Sequence, residues 1–290
     1  MTCMTYEQIL AELAEAEKWL GDLGLREEEH RIQEHMQRIE RLVQARKEGR
    51  DEEATEGDEG RLNMFSFTEA MEFLGIFEAF KDDPPPRLLR RLKDALSGPA
   101  DLAAESTESN QARNIMFELN LAARLRIRGL PVELPRENPD ILTEFEGVPI
   151  YIQCKRPFKE GTIPARIEDA ASQLKRDLDQ AGDPKARGVI AISVSRACNP
   201  GELLYRGPNE AAFKKGLGDQ IQALGMGHRE TWGKIEDARI IGIAYHIISP
   251  TVAEDSKILV VGQELVVFPL PERPDLELLA KLTKALELNS

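Results

Sequence analysis

Two short apolar runs joined by a tight turn constrain the fold of this chain more than any other feature. The runs cover residues 140–145 and 149–154, and the Glu146-Gly147 pair between them is typical of a two-residue hairpin turn. A hairpin returns the chain to its starting point, so we expect Asp140 and Gln153 to be cross-strand neighbours. The pattern therefore predicts that an acid and an amide lie side by side at one end of a strand pair.

Side-chain alternation along the second run adds a lysine to this pair. Gln153 and Lys155 share one face of the strand, and Cys154 shares the other face with Ile150 and Ile152. Cys154 is therefore expected to be a small packed residue rather than a nucleophile. A lysine beside a carboxylate at a strand end can hold a water molecule or protonate a leaving group.

The oxygen atoms at this place suit a hard cation. Candidate ligands are the Asp140 carboxylate, the side-chain carbonyl of Gln153 and the backbone carbonyl of Cys154. Oxygen-only ligands favour Mg²⁺ (or Mn²⁺) over zinc. An acid, an amide oxygen and a lysine together can support hydrolysis of a phosphodiester with a divalent metal.

The order of elements after residue 106 predicts an α/β fold. A long helix, three short strands, a helix, a buried strand, a helix and a second buried strand follow one another, which implies a mixed β-sheet flanked by helices. A β-hairpin and a closing helix end the chain. The expected elements are residues 106–128, 132–134, 140–145, 149–154, 164–181, 188–194, 209–226, 238–248, 258–261 with 265–268, and 274–288.

The residues before 106 predict an α-helical N-terminal extension. Residues 1–60 read as a helical arm with an acidic linker at 49–60, and residues 61–105 as a small helical segment. The α/β domain would then span residues 106–290. The arm suits a helical hairpin or coiled coil that forms a homodimer, or equally a solvated extension.

Charge and cysteine content bear on partners and compartment. The first 60 residues carry 17 acidic and 8 basic residues, so the arm accounts for most of the formal net charge of −13. The remainder can present a local basic face, and residues 87–96 alternate leucines with arginines in this way. Three distant cysteines predict neither a disulfide framework nor a zinc site, and no run has the length of a membrane span. A cytoplasmic protein is expected.

Specific residues carry a resemblance to a known family. Pro139-Asp140 followed by Gln153-Cys154-Lys155 resembles the motif of the PD-(D/E)xK nuclease superfamily, which has the fold of restriction endonucleases. Glutamine in place of the second acid, with Arg156 after the lysine, is similar to the Mrr-type enzymes. Phe117-Glu118 resembles the helix ahead of the family's Asp, and residues 187–193 resemble the strand after the motif. The likeness covers roughly residues 106–250.

The resemblance implies a restriction-endonuclease-like fold and a role for each matched residue. Asp140 would be the principal metal ligand, Glu118 an accessory acid and Gln153 a second ligand, while Lys155 would activate the attacking water. Gln173 would contact the substrate or Lys155, and Arg156 would contact the substrate. The implied activity is that of a metal-dependent endonuclease that hydrolyses phosphodiester bonds of DNA or RNA, in restriction or phage defence.

Other interpretations of these residues stay open. Gln153 lowers the negative charge of the site, so a catalytically weak nuclease fold that acts as a nucleic-acid binder, sensor or oligomeric adaptor is the alternative. Glu118 and Gln173 could be solvated helix residues. Two further residues, His228 and Trp232, could contact DNA from a loop, whereas His246 in an apolar strand is expected to be a hydrogen-bonded core histidine.

Overall fold

The computed structural model describes residues 5–25, 30–50, 57–136, 138–201, 205–253, 258–273 and 275–286. Cys3, residues 51–56 of the predicted acidic linker, and both ends of the predicted closing helix lie outside these ranges. The helices are α1 (Tyr6–Asp22), α2 (Arg31–Lys47), α3 (Gly57–Phe80), α4 (Leu88–Leu96), α5 (Gln111–Ile127), α6 (Ile163–Ala181), α7 (Ser195–Cys198), α8 (Glu210–Gly227), α9 (Arg229–Trp232) and α10 (Leu276–Leu286).

The strands form one mixed sheet, which confirms the predicted α/β class with a mixed sheet flanked by helices. The strands are β1 (Val132–Glu133), β2 (Ile141–Phe145), β3 (Val148–Lys155), β4 (Arg187–Ser193), β5 (Tyr205–Gly207), β6 (Ile240–Ala253) and β7 (Ile258–Pro269). The order across the sheet is β1-β2-β3-β4-β6, with β3, β4 and β6 parallel to one another. The long strand β6 also pairs with β5 in parallel and with β7 in antiparallel orientation.

The central hairpin has the predicted turn and register. Phe145 pairs with Val148, so two residues form the turn, and both have positive φ angles: 51° at Glu146 and 75° at Gly147. At the other end of the ladder Ile141 pairs with Ile152. Asp140 therefore lies opposite Gln153, one position beyond the last pair.

Two sequence predictions of elements were wrong. Residues 258–268 form one continuous strand rather than a hairpin, because Gly262 takes part in the β6–β7 ladder and gives room to Phe213 of α8, which a Cβ atom would meet. The helix expected from residue 106 begins at Gln111 instead. The Ser106 and Ser109 side chains close a turn there by hydrogen bonds to the local backbone.

The sheet is covered on both faces by apolar packing. Along β4, Val189 and Ala191 contribute to one core with α1–α5, whereas Ile190 and Ile192 contribute to a second core with α6, α8 and α9. This alternation explains the continuous apolar run of β4, since a strand buried on both faces needs no polar side.

The N-terminal helices belong to the first of these cores. Ile9 and Leu13 of α1 and Ile32 and Ile39 of α2 are fully buried beside α3, and the predicted boundary at residue 60 lies within α3. The apolar stripes that suggested a coiled-coil dimer are thus buried inside the same chain. A homodimer through these helices stays a prediction. Among the described helices, we find none that is long and apolar enough to cross a membrane.

A buried ion cluster joins these helices to α5. Glu69 of α3 accepts hydrogen bonds from Arg31 Nε at 3.1 Å and from Arg113 Nε at 2.6 Å. The two guanidinium groups also donate to the carbonyl oxygens of Ser97 and Ala100. One carboxylate therefore pairs with two guanidinium groups from different helices, away from water.

We predict that Glu69→Ala destabilises the protein by about 3–5 kcal/mol, because it leaves two buried guanidinium groups without their anion. Urea unfolding followed by circular dichroism measures the change. Glu78→Ala is the matched control on the same helix, since the Glu78–Lys81 pair is exposed and should contribute at most about 1 kcal/mol. Equal effects of the two substitutions would show that the buried cluster does not stabilise the fold.

Candidate active site

The hairpin places the Asp140 carboxylate against the end of β3. Asp140 Oδ2 accepts a hydrogen bond from the backbone N–H of Cys154 at 2.7 Å. This bond fixes the carboxylate beside the strand that carries Gln153 and Lys155. Burial raises the pKa of Asp140, although the Cys154 N–H and the Lys155 and Arg91 charges act in the opposite direction. The protein thus holds a carboxylate in surroundings that disfavour its negative charge.

Glu118 reaches the same place from α5. Burial and the charge of Asp140 raise its pKa to about 8, against the attraction of Arg91 and Lys155. Glu118 Oε2 accepts a hydrogen bond from Arg91 Nη1 at 2.5 Å. The helix acid predicted from the sequence is therefore a half-buried neighbour of Asp140 rather than a solvated residue.

Lys155 is held by the helix that follows the hairpin. Its Nζ donates to Gln173 Oε1 at 2.6 Å and forms an ion pair with Asp169 at 3.3 Å. Of the two predicted partners of Gln173, the substrate and Lys155, the structure shows the contact with Lys155. Two anchors on α6 keep the ammonium group at the strand end.

Gln153 faces the same helix but is completely buried. Its Nε2 donates to Asp177 Oδ2 at 3.0 Å and to Asn138 Oδ1 at 3.3 Å. Its Oε1 is buried without a hydrogen-bond partner among the described residues. A buried acceptor without a hydrogen bond raises the free energy of the folded state, so this oxygen is suited to bind a group that is not part of the protein.

A row of polar residues on α6 supports β3, and only one of them, Gln173, was predicted from the sequence. Asp169, Gln173 and Asp177 are spaced four residues apart, which puts them on one face of a helix. Two of them contact Lys155 and one contacts Gln153. The spacing is visible in the sequence, but which face of α6 meets the sheet is decided by the packing of Ile163, Ile167 and Leu174 and their neighbours.

Cys154 contributes its backbone and not its thiol. The side chain is buried in the first core, and burial raises the pKa of the thiol well above its ordinary value, with the Asp140 and Glu118 charges adding to the effect. This placement agrees with the expectation of a packed residue.

Arg156 lies apart from this group. Its guanidinium makes two hydrogen bonds, of 2.6 and 3.0 Å, to the fully buried Glu105 carboxylate, which also pairs with Arg196. A contact of Arg156 with a substrate would require this buried pair to break. The pair instead anchors the segment after β3 to the segment before α5.

The remaining candidates lie in the cores. His246 stacks on Phe117 with ring centroids 5.4 Å apart, and its Nε2 lies 2.7 Å from Gln263 Nε2. Burial lowers the pKa of His246 to about 3, so it is a neutral core histidine. Trp232 is buried, and both Trp232 and His228 pack near Tyr245.

The residues brought together are compatible with a hard divalent cation. No group of three or more His, Cys, Asp and Glu side chains that could hold a metal exists within the described ranges. The set here has two carboxylates, Asp140 and Glu118, and its further oxygens come from Gln153 Oε1 and the Cys154 backbone. The buried Oε1 without a partner and the carboxylates with raised pKa values fit a site that gains from positive charge.

Comparison of the chain with protein-family models, with curated proteins and with solved structures found no match in any of the three. The functional argument therefore depends on the geometry of this site and on the motif in the sequence.

We predict that Glu118→Gln changes how stability depends on pH in the metal-free protein. The raised pKa of Glu118 means that the folded state keeps a proton which the unfolded chain releases near pH 4.5, so this group's stabilisation is lost as pH rises through about 8. Glutamine cannot ionise. The free energy of unfolding of the variant, minus that of the wild type, should therefore be larger at about pH 9 than at about pH 6.

Urea unfolding at both pH values tests this, with the exposed Glu108→Gln as the control. A constant difference between wild type and Glu118→Gln across this range would contradict a raised pKa at Glu118.

Proposed function

We propose that this protein is a divalent-metal-dependent DNA endonuclease of the PD-(D/E)xK type, with a restriction-endonuclease-like fold. The observation that carries the proposal is that Asp140 and Lys155 lie at the end of β3 and that the charges of both act on Glu118 of α5. The motif resemblance supplies the reaction class, and a part in restriction or phage defence follows from the likeness to Mrr-type enzymes. The mixed sheet with helices on both faces is compatible with that fold.

The residues that would hold Mg²⁺ or Mn²⁺ are Asp140, Glu118, Gln153 through Oε1 and Cys154 through its backbone carbonyl. The cation would supply positive charge to the scissile phosphate and lower the pKa of a water molecule. The protein positions these oxygens through the Cys154 N–H bond to Asp140 and the Asp177 bond to Gln153. Such outer contacts orient ligands and tune their affinity.

Lys155 is the side chain that acts directly on the water molecule and on the phosphate in the proposed reaction. Its ammonium group orients the attacking water with one N–H and stabilises the negative charge that develops on the phosphate. Gln173 and Asp169 limit the positions that Nζ can take, which places the charge before the substrate arrives. These two residues act through Lys155 and are positioning residues.

We predict that Asp140→Ala and Lys155→Ala each reduce cleavage of plasmid DNA with Mg²⁺ or Mn²⁺ by at least about a hundredfold, because each removes an interaction made in the transition state. Circular dichroism should show an unchanged fold. Asp219→Ala and Lys159→Ala are matched controls at exposed positions and should retain activity. Cleavage that persists in both site variants would exclude this mechanism.

We also predict that Gln153→Glu alone binds metal poorly, because the new carboxylate would face the Asp177 carboxylate across the present 3.0 Å hydrogen bond. The double variant Gln153→Glu with Asp177→Asn restores a donor opposite the acceptor. It should bind Mn²⁺ about tenfold more tightly than the wild type, since affinity follows the charge of the ligands. Isothermal calorimetry measures the affinity, with Asp177→Asn as the control.

A second function is favoured by the neutral, fully buried Gln153. A site with two carboxylates could bind metal too weakly for cleavage and leave a nuclease-fold protein that binds nucleic acid without cutting it. DNA binding without Mn²⁺ binding in the wild type, combined with cleavage by the double variant, would support this function instead.

A further inference from the structure

Arg91 is a cation that a separate helix supplies to the candidate site. It lies on α4, outside the residues that carry the motif resemblance. Its guanidinium donates from Nη1 to Glu118 Oε2 at 2.5 Å and from Nη2 to the carbonyl oxygen of Pro135 at 3.0 Å. The Arg91 and Glu118 side chains are only 13% and 15% exposed. A metal ion that binds Glu118 would therefore compete with the Arg91 guanidinium for this carboxylate.

The charge balance of the site makes that competition strong. Arg91 and Lys155 both act on the two carboxylates, Glu118 and Asp140, and oppose the effect of burial on them. The site thus already holds two internal cations, Arg91 and Lys155, beside its two acids. A divalent ion added with all four groups in place would meet like-charge repulsion in partly buried surroundings.

The surroundings of Arg91 offer it another anion. Arg87 and Arg90 are exposed at the start of α4. Arg87 borders a groove of about 740 Å³ whose other walls include Pro135, the carbonyl partner of Arg91, and Asn138 and Asp177, the two partners of Gln153. A nucleic-acid strand in this groove would lie beside Pro135 and would bring phosphates to the basic end of α4.

We propose that Arg91 couples metal binding to nucleic-acid binding: in the free protein its guanidinium is hydrogen-bonded to Glu118, and in the complex it binds a backbone phosphate and leaves Glu118 to the cation. Guanidinium binds phosphate by paired, charge-assisted hydrogen bonds, so the exchange replaces one such partner by another. This inference rests on the proposed function, because it needs a cation at Asp140 and Glu118.

The first test is Mn²⁺ binding by calorimetry without nucleic acid. Arg91→Gln removes the competing charge, so it should bind Mn²⁺ about tenfold more tightly than the wild type. Arg91→Lys keeps a charge and should stay within about threefold of the wild type, as should Lys93→Gln, the exposed control on α4. Arg91→Met is a second neutral variant whose apolar chain suits the half-buried position if Arg91→Gln fails to fold.

The second test repeats the titration with a short phosphorothioate DNA duplex, which resists hydrolysis. The duplex should increase the Mn²⁺ affinity of both proteins, and the increase should be about tenfold larger in the wild type than in Arg91→Gln. The reason is that the variant lacks the residue that couples the two binding events. The reciprocal measurement, duplex affinity with and without Mn²⁺, should show the same difference.

The outcomes separate the two proposals. Wild type that binds no Mn²⁺ with or without duplex refutes the proposed function and this inference together. Mn²⁺ binding that is unchanged or weaker in folded Arg91→Gln or Arg91→Met refutes the inference alone, and would make Arg91 a structural link between α4 and α5. A gain of affinity in Arg91→Lys as large as in Arg91→Gln would also refute it.

Discussion

The register of the β2–β3 hairpin is the constraint on which the candidate site depends. Because side chains alternate along β3, a shift by one residue would turn Gln153 and Lys155 into the first core and expose Cys154 to α6. The two-residue turn with positive φ at Glu146 and Gly147 prevents this shift, and the Cys154 N–H bond to Asp140 confirms the register at the opposite end. One turn geometry therefore decides which side chains line the candidate site.

Charge burial is the second constraint, and the protein handles it by pairing across helices. Glu69 pairs with Arg31 and Arg113, Glu105 pairs with Arg156 and Arg196, and Glu118 pairs with Arg91. Each pair joins segments that are distant in sequence, so removing one partner leaves the other as an unpaired buried charge. The pair at the candidate site has its acid, Glu118, close enough to interact with the strand-end acid Asp140. Two neighbouring acids are the feature that would favour an added cation there.

Local patterns predicted the elements and the motif, whereas contacts between elements were not visible in the sequence. Asp140, Gln153 and Lys155 were found because a two-residue turn and the period of a strand relate them directly. Arg91 was read only as part of a basic helix face, since its partner is 27 positions away in the sequence on another helix. Asp169 and Asp177 were missed because helical spacing shows that they share a face, but not that this face meets β3. Gly262 was taken for a turn residue, although the close approach of Phe213 accounts for it.

In the proposed site Gln153 would be a neutral ligand beside two carboxylates. Its amide donates to the buried Asp177 carboxylate, and this bond polarises the group so that electron density shifts toward Oε1, the oxygen without a hydrogen-bond partner among the described residues. The negative charge that the PD-(D/E)xK motif would place on the strand is thus present on α6, one hydrogen bond away from Gln153. This arrangement lowers the repulsion among Asp140, Glu118 and Asp177 when no cation is bound, because the Gln153 amide separates Asp177 from the other two. Under the proposed mechanism the same separation would weaken the attraction for a cation, so the metal affinity would depend on how completely Glu118 exchanges Arg91 for the metal.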